Sequence, residues 1–254
     1  MSLNTNRYFE DKLIHHTDTY FGNELKFEVP VFVYPSHSDT IIIQAPGAGQ
    51  VLSGRHNAYQ KLGQHLSASN LCAYVSHNAP QPDAQWKFPD EPYSFQDASW
   101  NKLAVESLEH TIEYTIKNAI SICRTNTPKI ILAGFSAGGS SCGAVAYKYP
   151  EIEKILLVSS YDSVGDYFYE GIGNFTGRLF VTYGSSDGIA KFLGYSLSFL
   201  ANSSKEIYVE EIPNCDHGFR GEENGKILSN AYKWVLETKN SFPSPADGIF
   251  LYNE

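Results

Sequence analysis

A serine sits between two glycines where the chain changes character. Ile130-Ile131-Leu132-Ala133 is an apolar run. Gly134-Phe135-Ser136-Ala137-Gly138 follows, and a segment of small residues then continues from Gly139 to Ala146. A strand that turns tightly into a helix at such a serine forces strained backbone angles on it and lifts its hydroxyl out of the sheet, the geometry of a nucleophile elbow. Neighbouring chain then passes close to the positions two before and two after the serine, where any side chain would clash. Gly134 and Gly138 fit that demand, and Gly139 adds slack. An ordinary serine in a glycine-rich turn is the other reading; the strand before it and the helix after it argue against that. A hydroxyl is a poor nucleophile until a base takes its proton, so the chain must supply a base and a group to orient that base.

The passage strand–G-F-S-A-G–helix resembles the α/β-hydrolase superfamily, and the alternation of strands and helices extends the resemblance over most of the chain. The resemblance implies a nucleophile, then an acid, then a histidine, in that order along the sequence. Eight histidines occur. His15, His16, His37, His56, His65, His77 and His110 all precede Ser136 and do not fit the order. His217 does: it lies in Pro213-Asn214-Cys215-Asp216-His217-Gly218-Phe219, after the strand 206–212, and the D-H-G-F string resembles many members. The acid is expected after a strand between the two. Asp187, just past the strand 178–183, is the choice, to hold the imidazole in one tautomer and stabilise the imidazolium. Asp162, after the preceding strand, is its rival, and a plain N-cap is the alternative role for Asp187.

Acyl transfer also needs donors for the developing oxyanion. The backbone N–H of Ala137 supplies one. The other is expected from Ala45-Pro46-Gly47-Ala48-Gly49-Gln50, which departs from the H-G-G-G pattern of many lipases and esterases and resembles a two-glycine version. Ala48 is the first choice there and Gly49 the next, against a simple glycine turn.

These residues must be placed by a frame, and the frame is legible as alternation. Short apolar strands are expected at 40–44, 71–76, 129–135, 154–159, 178–183 and 206–212. Helices are expected near 56–66, over 98–123 and 138–149, near 189–200, and over 223–237. An antiparallel pair is expected from 15–20 and 25–34, the latter interrupted by Pro30. Apolar strands alternating with helices imply a mostly parallel, open, twisted sheet of about eight strands with helices on both faces, the α/β-hydrolase fold. Ligand sites in such sheets gather at the carboxyl ends of the strands. The 254 residues, 42% of them hydrophobic, suffice for a single domain over 1–254, with 243–254 as a tail that is loose or packed on the surface.

A net charge of −9 argues against nucleic acid as a partner. No apolar run reaches about 18 residues, so no membrane span is expected, nor a signal peptide. Cys72, Cys123, Cys142 and Cys215 are scattered and read as reduced thiols, which favours a cytoplasmic location and silent sequons at Asn174 and Asn202. Gly47-x-Gly49 lacks the third glycine of a dinucleotide fingerprint, Leu52 standing in its place, and no complete metal-ligand set is visible, so neither cofactor nor metal is expected.

Substrate hints come from aromatic residues. The segment 79–102 includes Trp86, Phe88, Tyr93, Phe95 and Trp100 and leaves the active edge; the connection 161–177, where members of the superfamily insert a lid, begins at Tyr161 and is short. Trp86, Tyr93 and Tyr161 are the candidate substrate-binding residues, with packing against the domain as the other reading. Arg55 and Arg220 lie near the two loops and could grip a carboxylate or phosphate, or simply face solvent. The resulting expectation is a serine hydrolase of small-molecule carboxylic esters or thioesters. A peptidase or lactonase of the same fold, and a non-catalytic binding module, are the alternatives. Dienelactone hydrolases share the compact shape but use cysteine, so the serine points elsewhere.

Overall fold

Ile41, Ile42 and Ile43 are fully buried in succession, as are Ile155, Leu156, Leu157 and Val158. Strands with such unbroken apolar runs must be covered on both faces. The computed structural model, which describes residues 8–20, 23–48, 50, 52–78, 93–238, 241–244 and 248–249, has that cover. Its strands are β1 (Phe9–Tyr20), β2 (Asn23–Tyr34), β3 (Thr40–Ala45), β4 (Ala73–His77), β5 (Lys129–Phe135), β6 (Ile152–Val158), β7 (Arg178–Gly184) and β8 (Glu206–Ile212). They form one sheet in the order β1-β2-β4-β3-β5-β6-β7-β8. The pairs β1/β2 and β2/β4 are antiparallel and the remaining five are parallel.

Alternate residues of each central strand feed two separate cores. Ile41, Ile43, Ile130 and Leu132 join one cluster; Ile42, Ile131 and Ala133 join the other. The first is roofed by α2 (Tyr93–Lys117), α3 (Ala119–Cys123), α4 (Ala137–Val145), α5 (Asp166–Asn174) and α6 (Ala190–Leu200). The second is roofed by α1 (Ala58–Ala68) and α7 (Glu222–Glu237). No helix among the described residues is long and apolar enough to cross a membrane.

Three elements differ from the sequence expectation. The N-terminal hairpin reaches back to Phe9, because backbone pairing with Val33 extends a strand whose polar side chains carry no apolar signal. Pro30 sits within β2, one residue outside the stretch Val31–Tyr34 that pairs with β4, where on that side no ladder N–H is needed. Part of the expected loop 79–102 is helical: α2 begins at Tyr93, where a run of aromatic and polar residues offers little helix propensity to read. Trp86 lies outside the described residues. Tyr93 is the first residue of α2.

A buried polar contact ties α7 to the sheet, and a second lies beside it on β3. Tyr232 on α7 donates to Gln44 Oε1 on β3 (2.5 Å), and Gln44 Nε2 donates to the Ala45 carbonyl (2.8 Å). Beyond α7, Phe242 packs its ring on Trp234 (5.2 Å between centroids), and the Ile249 amide donates to Ser229 Oγ (2.9 Å), so these residues of the tail lie along the last helix.

Candidate active site

Strand β5 runs into α4 with no loop. Ser136, the residue between them, has φ 54° and ψ −123°, outside the region a side chain ordinarily tolerates. The turn is held backbone against backbone: the Ser136 amide donates to Val158 O (2.8 Å), the Gly139 amide donates to Ser136 O (3.0 Å), and Ser160 Oγ donates to the same carbonyl (3.2 Å). Its tightness explains the glycines. A methyl group at Gly138 would fall on the carbonyl oxygens of Ala45 and Pro46, and one at Gly134 on the backbone of Gly139. Gly139, read from sequence as slack, is itself required, since a methyl there would lie 2.5 Å from Ser160 Oγ. Ser136 is 7% exposed, and that exposed portion faces a cavity.

His217 arrives from the loop after β8. Its Nε2 lies 3.0 Å from Ser136 Oγ and its Nδ1 2.9 Å from Asp187 Oδ2. A carboxylate can only accept, so Nδ1 carries the proton and Nε2 is left to accept from the serine hydroxyl. Asp187 comes from the turn after β7. Its Oδ1 accepts the amides of Ile189 and Ala190, both at 3.0 Å. Burial works to raise its pKa, but the Ala190 amide, with the His217 ring and the Ile189 amide, overrides burial and holds the carboxyl below its ordinary range. Asp187 therefore stays anionic beneath the imidazole. Asp162, the rival, is exposed and accepts the hydroxyl of Tyr169 instead.

The Ala137 amide opens α4, among the N–H groups that a helix leaves unsatisfied. In the loop after β3 the Gly47 amide is already taken by Gln50 Oε1 (3.2 Å), an acceptor also used by the Tyr59 hydroxyl (2.7 Å). Ala48, next along, lines the cavity. Gly49 lies outside the described residues.

The cavity holds about 410 Å³. Phe135, Tyr59, Leu228 and Tyr232 form apolar parts of its wall, and Arg55 and Arg220 contribute charge. Tyr161 is not among the described residues that line it. The chain turns at Ser159 (φ 45°), Ser160 Oγ folds back to the elbow, and the connection leads away to α5, whose Phe168 is buried beside Gly143 of α4. In the connection 161–177, Phe168, Ile172 and Phe175 pack into the domain while Tyr167 and Tyr169 stay exposed. Sequence reasoning missed Asp216. Its Oδ1 accepts the amides of Gly218 (3.1 Å) and Arg220 (3.0 Å), shaping the loop that carries His217; an aspartate followed by glycine two places on was the available signal.

No protein-family model and no curated protein matches the sequence. Solved structures match in fold. A dienelactone hydrolase from Anabaena variabilis is 12% identical with a TM-score of 0.66, over 90% of this chain and 98% of that one. An esterase from Pyrobaculum calidifontis is 16% identical with a TM-score of 0.62, over 91% and 83%. An α/β serine hydrolase homologue from Coxiella burnetii is 15% identical with a TM-score of 0.60, over 90% and 97%. The chain has the α/β-hydrolase fold.

Proposed function

We propose that this protein is a single-domain serine hydrolase that cleaves small-molecule carboxylic esters or thioesters through an acyl-enzyme on Ser136. The observation that carries the reading is the unbroken hydrogen-bonded line Asp187–His217–Ser136 ending in a cavity of about 410 Å³. The names of the fold neighbours, esterases and a lactone hydrolase, support the same class. Four free buried cysteines fit a reducing compartment such as the cytoplasm.

Ser136 Oγ attacks the ester carbonyl while His217 Nε2 takes its proton, and Asp187 stabilises the imidazolium that forms. The carbonyl oxygen becomes an oxyanion held by the amides of Ala137 and Ala48. The tetrahedral adduct collapses, its C–O or C–S bond breaks, and the leaving alcohol or thiol receives the proton from His217. Water, deprotonated by the same nitrogen, then attacks the acyl-enzyme and releases the acid and Ser136. Every proton is carried by a group on the chain.

A fluorophosphonate probe should label Ser136. On p-nitrophenyl esters and acyl thioesters, Ser136→Ala should reduce turnover by about 10⁴ to 10⁶ with the fold kept. A near-wild-type rate in that variant overturns the assignment.

A further inference from the structure

The mouth of the cavity carries a concentration of positive charge that the rest of the chain does not lead one to expect. The protein has a net charge of −9, with 28 acidic side chains against 19 lysines and arginines. Yet Arg55, just before α1, and Arg220, after β8, both line the cavity that Ser136 and His217 share. They converge on one spot. A methyl group built on Gly218 would lie 3.6 Å from Arg55 Nη1 and 3.5 Å from Arg220 Nε. Bringing two guanidinium groups together is unfavourable unless an anion lies near both.

Among the described residues, the carboxylates at this mouth do not balance the pair. Asp216 is the carboxylate among the described lining residues. One of its oxygens is occupied by the two loop amides, and the other stands 3.5 Å from Arg220 Nε in an exposed pair of the weak kind. Arg55 donates to a ring nitrogen, His56 Nε2 at 3.3 Å, not to a carboxylate. Asp187 is buried beneath His217 and bonded to it. The remaining titratable groups of the wall are His217 itself and the tyrosines Tyr59 and Tyr232. Guanidinium is suited to this position because its planar fork matches a carboxylate or phosphate.

We propose that the substrate carries an anionic group, a carboxylate or a phosphate, which Arg55 and Arg220 hold at the cavity mouth while the ester or thioester carbonyl reaches Ser136. This rests on Ser136 being the nucleophile, and the experiment separates the two claims. The first pair of substrates is p-nitrophenyl hemiglutarate and p-nitrophenyl valerate, equal in chain length and differing in the terminal carboxylate. The second is pentanoyl-4′-phosphopantetheine and pentanoyl-pantetheine, differing in the phosphate. Wild type should prefer the anionic member of at least one pair by about 10- to 100-fold in kcat/KM, chiefly through KM. The pair that shows the preference identifies the group. The preference should shrink as salt rises and fall to near one in the double variant Arg55→Gln, Arg220→Gln, checked for folding by circular dichroism.

Glutarate and inorganic phosphate give a readout independent of turnover: one of them should raise the Tm of wild type and of Ser136→Ala, and neither should raise that of the double variant. If wild type shows no preference and no Tm shift while the probe labels Ser136, the anion site is overturned. A preference and Tm shift that survive in the double variant overturn it too. If Ser136 is unlabelled and no ester is cleaved but the shift is present and lost in the double variant, the nucleophile reading fails and the anion site stands.

Discussion

The elbow at 134–139 and the loop at 213–220 leave the same edge of the sheet and deliver the two ends of one hydrogen bond, yet they are held differently. At the elbow, backbone lies on backbone: Gly134 against Gly139, Gly138 against the carbonyls of Ala45 and Pro46, and Ser136 on β6. The histidine loop is anchored at two buried side chains, Cys215 and Phe219, and shaped between them by Asp216 and by Asp187 beneath. The His217 side chain is 32% exposed, whereas Ser136 is nearly closed off. A contact made of backbone has no rotamer with which to adjust, so Gly134 and Gly138 admit no side chain beside Ser136, while His217 sits on a segment whose outer face is open to change.

Four measurements would break or sharpen that contrast. Asp187→Asn leaves the shape of the turn but offers an amide where the imidazole needs an acceptor, so kcat should fall by about 10³ to 10⁴ with little change in the fold; a loss below tenfold would mean that the loop holds His217 without it. Gly138→Ala should destabilise by about 3 kcal/mol or more, the upper end of overpacking, measured by urea unfolding. A near-wild-type midpoint would show that the elbow yields after all.

The closed side of the rim should also carry a pH dependence. His77, at the end of β4, is 2% exposed, and burial lowers its pKa to about 4 from 6.5. Between those values the unfolded chain binds a proton that the folded chain refuses, so stability falls as pH falls. The slope should be about 1.4 kcal/mol per pH unit from this group, and His77→Gln should flatten it in urea midpoints taken at pH 7, 6 and 5. Smallest is Gly218→Ala. An added methyl meets only arginine side-chain atoms at 3.5 Å and beyond, so stability should stay within about 0.5 kcal/mol of wild type.

What could be read in the sequence was whatever a short window encodes. The apolar runs of β3, β5, β6 and β7 are continuous because both faces are buried, and Gly134 reports a clash with Gly139, close in sequence, while Gly138 was legible only as part of the G-x-S-x-G string. The order of nucleophile, acid and histidine implied by the resemblance to α/β-hydrolases then led to Asp187 and His217, and the structure places His217 within hydrogen-bond distance of both Asp187 and Ser136. What depended on contacts between distant segments was not visible. Gly139 is demanded by Ser160 from the segment after β6, and residues 9–14 become a strand only through their partners on β2. Arg55 and Arg220 could each be placed near a loop, but their convergence on Gly218 exists only in three dimensions.

The bond between Tyr232 and Gln44 joins positions 188 residues apart, and Tyr232 is also part of the cavity wall. During synthesis β3 emerges long before α7, which closes over it. A nascent chain therefore has the turn at Ser136 in hand before this wall of the cavity exists, a long-range closure of the kind that slows folding.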